Sequence, residues 1–104
     1  MVMKKRTSEG MLKSDIRKLL NTIGIFHFNV LQGLGCHPGI SDLLGVYQGR
    51  FFAIEIKAPR GHASPFQIEF LKRVKENGGI SILAYSVDDV IRGLGIEDRF
   101  LNFT

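Results

Sequence analysis

The first regular pattern of apolar residues in the chain has the spacing of an α-helix. Apolar side chains recur at intervals of three and four residues from Met11 to Ile23, which places them on one face of a helix. Ser8 can cap the first turn of this helix, and Gly24 can end it. The pattern therefore predicts an amphipathic helix between Ser8 and Gly24, with a polar face towards solvent.

Three apolar runs further along are rich in β-branched and aromatic residues, which is typical of strands. They cover residues 25–31, 43–47 and 51–57. The last two are separated only by the turn Gln48-Gly49-Arg50 and are therefore predicted to form a β-hairpin. Residues 32–39, ahead of the hairpin, form a glycine-rich loop that is too irregular for a nucleotide-binding motif.

A second helix is predicted to begin at Ser64, because Ser64, Pro65 and Gln67 suit its N-cap, N1 and N3 positions. Its predicted buried stripe consists of Phe66, Phe70, Leu71 and Val74. The run Asn77-Gly78-Gly79 should end it.

A fourth strand over residues 80–85 should return parallel to the hairpin, as strands do after a helical crossover. Ser86 then caps a final short helix. The order of helix, three strands, helix, strand and helix predicts an α/β fold with a small mixed sheet. A chain of 104 residues is long enough for one domain with its own core, and we expect residues 1–104 to form it.

The charge balance limits the classes of function that suit the chain. Its formal net charge of +4 favours an anionic partner, most commonly nucleic acid. Cys36 is the one cysteine, so an internal disulfide is excluded. No apolar run approaches the roughly 20 residues that span a bilayer. We therefore expect a soluble intracellular protein without a membrane partner.

Three charged residues of the predicted hairpin should meet at one end of the sheet. Asp42 lies at the entry of the first strand, while Glu55 and Lys57 lie near the end of the second and, two residues apart, share a face. Two converging carboxylates suit Mg²⁺ or Mn²⁺, and a nearby ammonium can orient a water or offset phosphate charge. The alternative is a surface salt bridge between Glu55 and Lys57, with Asp42 capping a turn.

This arrangement resembles a known nuclease signature. Asp42, followed about a dozen residues later by Glu55-Ile56-Lys57, is similar to the D-(x)n-E-x-K motif of the PD-(D/E)XK nuclease superfamily. The segments 39–43 (Gly-Ile-Ser-Asp-Leu) and 57–61 (Lys-Ala-Pro-Arg-Gly) resemble the VRR-NUC family, the virus-type replication and repair nucleases. The resemblance extends over roughly residues 8–91 and implies the αβββαβ nuclease core.

The resemblance also implies an activity and a setting. We expect a Mg²⁺-dependent endonuclease that hydrolyses DNA phosphodiester bonds, selects DNA by structure like a Holliday junction resolvase, and acts in replication, repair or recombination. It implies a cytoplasmic protein of a bacterium, or one encoded by a phage within a bacterial host. A non-catalytic nucleic-acid-binding module and a restriction-type endonuclease are the alternatives. The complete set of Asp42, Glu55 and Lys57 favours an enzyme, and the small chain leaves no room for a domain that reads DNA sequence.

Roles for individual residues follow from the same resemblance. Asp42 and Glu55 would bind the metal with the carbonyl of Ile56, and Lys57 would position the attacking water. VRR-NUC and resolvase-like nucleases carry a glutamate in their first helix that reaches the metal, and Glu9 matches its position. The helix dipole is the alternative explanation of Glu9.

Gln67 has two possible roles. It matches a glutamine that lies beside the catalytic lysine in the same nucleases, and it also completes a capping box with Ser64. One amide is not expected to satisfy both roles fully.

Several basic residues are candidate DNA contacts. Lys13 and Arg17 lie on the first helix, and Arg60 and His62 follow Lys57; solvation alone would also explain the helix residues. The tail at residues 4–6 is either a phosphate contact or a solubilising terminus.

Assembly is a further expectation. Stand-alone VRR-NUC proteins are expected to cut four-way junctions as symmetric dimers, so we expect a homodimer. Phe100, Leu101 and Phe103, with part of segment 25–31, could form its contact. Alternatively, this apolar tail folds back onto the core of the monomer.

Overall fold

A mixed four-stranded sheet lies at the centre of the structure, a computed structural model that describes residues 8–101 apart from the side chains of Phe100 and Leu101. Its strands, which lie in sequence order, are β1 (His27–Asn29), β2 (Leu43–Tyr47), β3 (Arg50–Ile56) and β4 (Ile80–Ala84). β2 pairs antiparallel with both β1 and β3, whereas β4 pairs parallel with β3. The predicted α/β class with a small mixed sheet is confirmed, and β4 is an edge strand.

Within residues 8–101, four helices accompany the sheet. They are α1 (Glu9–Thr22), α2 (Pro65–Glu76), α3 (Val87–Leu94) and the short α4 (Glu97–Leu101), which the sequence did not predict. The hydroxyl oxygens of Ser8, Ser64 and Ser86 each accept a bond from the backbone N–H three residues later, as N-caps do. Between residues 8 and 101, none of these helices has both the length and the apolar character needed to cross a membrane.

The hairpin turn is shorter than predicted. Gln48 and Gly49 form it alone, with φ values of 51° and 81°, as two-residue hairpin turns of type I′ require. Arg50 belongs to β3, where it pairs with Tyr47. The predicted three-residue turn was wrong because a two-residue turn with positive φ at both positions lets the strands pair up to the turn. β1 likewise covers only part of the predicted segment 25–31.

Side chains of β3 alternate between the two faces of the sheet. Phe52, Ile54 and Ile56 are fully buried in a large core that includes α1 and α3. Ala53 packs on the opposite face in a smaller core with Leu44 of β2 and Leu71 of α2. Glu55, two residues after Ala53, lies on this second face, which α2 covers.

The buried stripe of α2 begins one residue later than predicted. Phe66 is 68% exposed, whereas Phe70, Leu71 and Val74 pack against the second core. Counting back from these residues at helical spacing, the first position of the stripe is Gln67. The prediction favoured Phe66 because of its apolar character and its helical spacing from Phe70, but the packing of α2 on the sheet turns the amide of Gln67 towards β3.

Two predicted features involve residues outside the described part. The basic tail at residues 4–6 precedes residue 8, and the apolar tail extends to Phe103 beyond Leu101. Of that tail, the structure describes the backbone of Phe100 and Leu101 in α4.

Candidate active site

The site begins where β2 starts and β3 ends. Leu43 pairs with Ile54, and continuing this register by one residue sets Asp42 opposite Glu55. One carboxylate oxygen of Asp42, Oδ2, accepts a hydrogen bond of 2.8 Å from the backbone N–H of Ile56. Asp42 is thereby held against the strand that carries Glu55.

Lys57 and Gln67 complete a cluster around Glu55. The ammonium of Lys57 lies 3.5 Å from Oε2 of Glu55, and the amide Nε2 of Gln67 donates a hydrogen bond of 2.9 Å to the same oxygen. The structure thus brings together the four predicted catalytic residues, Asp42, Glu55, Lys57 and Gln67. They come from the loop before β2, from β3 and the residue after it, and from the first turn of α2.

Gln67 makes the capping-box contact and a contact with the carboxylate cluster at the same time. Its Oε1 accepts a bond from the backbone N–H of Ser64, which closes the capping box, while its Nε2 is free to bond Glu55. The expectation that one amide cannot satisfy both roles was wrong, because the oxygen and the nitrogen of the amide group point in different directions. The capping box therefore orients the amide for Glu55.

The carboxyl of Glu55 is under electrostatic strain. The pKa of Glu55 is raised from 4.5 to about 7: burial in the sheet is the largest cause, the nearby charge of Asp42 adds to it, and Lys57 opposes both. Glu55 is only 1% exposed, and its Oε1 is buried without a hydrogen-bond partner among residues 8–101. A buried carboxylate oxygen without a partner is costly unless a cation or a donor reaches it.

The donor set fits a hard divalent cation. Asp42 and Glu55 offer carboxylate oxygens, and Ile56 lies between Glu55 and Lys57 with its N–H bonded to Asp42. Oxygen ligands of this kind suit Mg²⁺ and Mn²⁺, which keep several waters and need few protein ligands. Oε1 of Glu55 is buried without a partner among the described residues, and a cation bound there would offset the cost of burying the negative charge.

Glu9 is not part of this cluster. Within the described residues, no three side chains of His, Cys, Asp or Glu are close enough to hold a metal together, and Glu9 is exposed in the first turn of α1. The side chain of α1 that reaches the site is Lys13, one turn later. Its ammonium lies 3.7 Å from Oδ1 of Asp42.

The other predicted DNA contacts lie at the surface. Arg17, Arg60 and His62 are exposed. Arg17 follows Lys13 by four residues on α1 and so lies on the same helix face. The sequence predicted Lys13 as a DNA contact and missed its ion pair with Asp42, because helical spacing identifies a face but not the element opposite it.

The loop before Asp42 packs closely against α2. Gly39 has a φ of 74°, and a side chain there would collide with the backbone carbonyl of Phe66, so glycine is required on both grounds. Ser41 is fully buried, and its hydroxyl has no partner among the residues that the structure describes. The sequence did not predict the need for glycine at position 39 or the burial of Ser41. The position of Ser41 directly before Asp42 was the signal that could have pointed to Ser41.

Neither of two cavities in the described chain is lined by Asp42 or Glu55. The larger, about 300 Å³, lies between α2 and the adjoining strands and is lined by Phe70, Arg73 and other residues remote from Asp42. The smaller, about 270 Å³, borders Ala58 and Pro59, which follow Lys57 directly.

Comparisons with known proteins add no family assignment. No protein-family model matches the chain, and no curated protein matches it significantly. The residues and geometry of the site are therefore the evidence for its function.

Proposed function

We propose that the protein is a metal-dependent DNA endonuclease with the PD-(D/E)XK core and that it belongs to the VRR-NUC type. The observation that carries the proposal is the pair of buried carboxylates, Asp42 and Glu55, at one end of a hairpin, with Lys57 against Glu55. A purely structural salt bridge between Lys57 and Glu55 would not require Asp42, a second buried carboxylate, which raises the pKa of Glu55.

Each member of the cluster has a role in this chemistry. Mg²⁺ or Mn²⁺ held by Asp42 and Glu55, with the Ile56 carbonyl, would polarise the phosphodiester and lower the pKa of a water. Lys57 orients the attacking water and offsets the negative charge that develops on the phosphate. Gln67 holds Oε2 of Glu55 in place, and Oε1, which has no partner among the described residues, would be the oxygen available to a metal.

The charge of the surface suits DNA as the substrate. The chain carries a net charge of +4, and a basic row on α1 formed by Lys13 and Arg17 leads to the carboxylates. Arg60 and His62 are exposed in the loop after Lys57. Contacts of this kind bind the phosphate backbone without reading base sequence, which is consistent with a nuclease that selects branched DNA by shape.

A cleavage assay on linear, flapped and four-way junction DNA tests the proposal. With Mg²⁺, the parent protein should cut DNA, and Asp42→Asn and Glu55→Gln should each abolish cleavage while circular dichroism reports a folded chain. Glu69→Gln, which removes an exposed carboxylate on α2, is the matched control and should cut normally.

Two results would count against the nuclease. Unchanged cleavage by both site variants would remove the carboxylates from the mechanism. Tight DNA binding by the parent, without cleavage in Mg²⁺ or Mn²⁺, would identify a binding module instead.

We also propose a homodimer that cuts junctions in paired nicks. β1 is an edge strand next to two exposed phenylalanines, Phe26 and Phe28, whose ring centroids lie 6.0 Å apart. An exposed edge with aromatic side chains is suited to pairing with a second chain. Light scattering at micromolar concentration should report a dimer, and Phe28→Glu should dissociate it. A monomeric parent that makes uncoupled nicks would exclude this assembly but not the nuclease chemistry.

A further inference from the structure

The two lysines of the site hold their carboxylates differently. Lys57 is 16% exposed and contacts Glu55 at 3.5 Å. Lys13 is 34% exposed, and its ammonium lies 3.7 Å from Oδ1 of Asp42, beyond the usual length of a hydrogen bond. The distance from Lys57 to Glu55 also exceeds that length, so charge attraction holds both ammonium groups, and Lys13 is the less constrained of the two because it is the more exposed.

The two oxygens of Asp42 are not equivalent. Oδ2 is engaged by the backbone N–H of Ile56 at 2.8 Å, whereas Oδ1 faces the ammonium of Lys13. Asp42 can therefore most readily offer Oδ1 to a metal. Because Mg²⁺ binds oxygen at about 2.1 Å, an ammonium that remained 3.7 Å from this oxygen would repel a second cation there. Lys13 and a metal ion are thus competitors for the same oxygen.

A DNA phosphate would offer Lys13 another partner. The lysine side chain has a long flexible stem with a mobile charge at its end, and Lys13 shares its helix face with the exposed Arg17. A phosphodiester that approaches along this face meets both cations. Its negative charge can draw the ammonium of Lys13 away from Asp42.

We propose that Lys13 is an exchangeable counter-ion of Asp42 that couples metal binding to DNA binding. Without DNA, Lys13 neutralises Asp42 and weakens metal binding; when DNA is bound, its phosphate takes Lys13 and frees Oδ1 of Asp42. This inference rests on the proposed nuclease function. Coupling between two ligands is reciprocal, so metal should strengthen DNA binding by the same factor.

Titration of the DNA-free protein with Mn²⁺, followed by calorimetry, tests the competition directly. Lys13→Met removes the charge and keeps most of the stem, so it should bind Mn²⁺ about fivefold more tightly than the parent. Lys13→Arg keeps the charge and should bind like the parent. Lys18→Met removes an exposed charge from the same helix, and at 0.15 M salt it should change Mn²⁺ affinity less than twofold.

The same titration with bound duplex DNA tests the coupling. Lys57→Ala serves as the background, because it keeps both carboxylates and should cut slowly. DNA should raise the Mn²⁺ affinity of this protein, and adding Lys13→Met should remove most of that increase.

The possible failures are distinguishable. Equal or weaker Mn²⁺ binding by Lys13→Met, with a normal circular dichroism spectrum, would overturn the counter-ion role and leave the nuclease proposal intact. An equal gain in Lys18→Met would assign the effect to general charge and would likewise overturn it. Absence of Mn²⁺ binding in every variant, with and without DNA, would overturn both proposals.

Discussion

The two faces of the sheet differ in the side chains that they bury. The face towards α1 and α3 buries large aliphatic and aromatic side chains, among them Leu20, Phe52 and Ile54, all fully buried. The face towards α2 has a smaller apolar core, and at the end of β3 it carries Glu55 with an unpartnered buried oxygen within the described chain. Burial of apolar side chains on the first face stabilises the fold, whereas the buried charge on the second face destabilises it.

This difference explains how so small a protein can hold a buried carboxylate pair. Strand alternation places Ile54 and Ile56 in the large core on either side of Glu55. The rigid packing of those neighbours therefore determines where the Glu55 side chain emerges. A strained site on one face depends on a well-packed core on the other.

The largest expected effect is a loss of stability when the apolar packing on the face towards α1 and α3 is disrupted. Leu20→Ala removes a fully buried side chain from α1 and should lower the free energy of unfolding by about 2–5 kcal/mol in urea titrations. Leu34→Ala, at a fully exposed position, makes the same chemical change and should cost less than about 0.5 kcal/mol. Similar losses of unfolding free energy in the two variants would contradict the claim that the core towards α1 and α3 stabilises the fold.

The second prediction concerns the cost of the charge on the other face. The pKa of Glu55 is raised to about 7 from 4.5, so the folded protein binds this proton more tightly than the unfolded chain. Through this group, the free energy of unfolding falls by up to about 3 kcal/mol as pH rises from about 4.5 to about 7. Above about pH 7 the contribution of this group is constant. Glu55→Gln should therefore be more stable than the parent at pH 8 in EDTA.

The difference should disappear well below pH 4.5, where Glu55 is protonated in both the folded and the unfolded state. Thermal or urea unfolding across this pH range measures it. Glu69→Gln, at an exposed carboxylate, should track the parent at every pH. A Glu55→Gln variant that is less stable than the parent at pH 8 would mean that the charge of Glu55 stabilises the fold.

The third prediction separates chemistry from stability on the α2 face. Lys57→Ala removes the ammonium next to Glu55 and should lower the rate of cleavage by about 10²-fold, since the charge acts on the transition state. DNA affinity should change little, and Lys72→Ala, at an exposed lysine of α2, should leave the rate unchanged. Loss of affinity with a normal rate for bound DNA would make Lys57 a phosphate clamp.

The smallest expected effects distinguish the two functions of Gln67. Ser64→Ala removes the hydroxyl of the capping box but keeps the backbone N–H that holds Oε1 of Gln67. It should cost about 1 kcal/mol of stability with nearly normal cleavage. Gln67→Ala should cost a similar amount and also slow cleavage about tenfold, because it removes the hydrogen bond to Oε2 of Glu55. Equal cleavage rates in the two variants would limit Gln67 to capping.

Local signals in the sequence determined the elements of this fold. The caps at Ser8, Ser64 and Ser86 and the hairpin of β2 and β3 depend on bonds between residues close in the chain, and each was predictable. The shared face of Glu55 and Lys57 follows from strand geometry alone. These features need no knowledge of the remote parts of the chain.

Only the tertiary structure decided what opposes each site residue. The contact of Lys13 with Asp42 joins α1 to the start of β2, and that of Gln67 with Glu55 joins α2 to β3. Helical spacing allowed Phe66 to face the core, but packing turned Gln67 there. Such contacts depend on how separate elements are placed against one another, and this is the result of burying all their apolar faces together. The hairpin and its charges are thus local properties of the sequence, whereas the electrostatic environment of Asp42 and Glu55 is a property of the assembled fold.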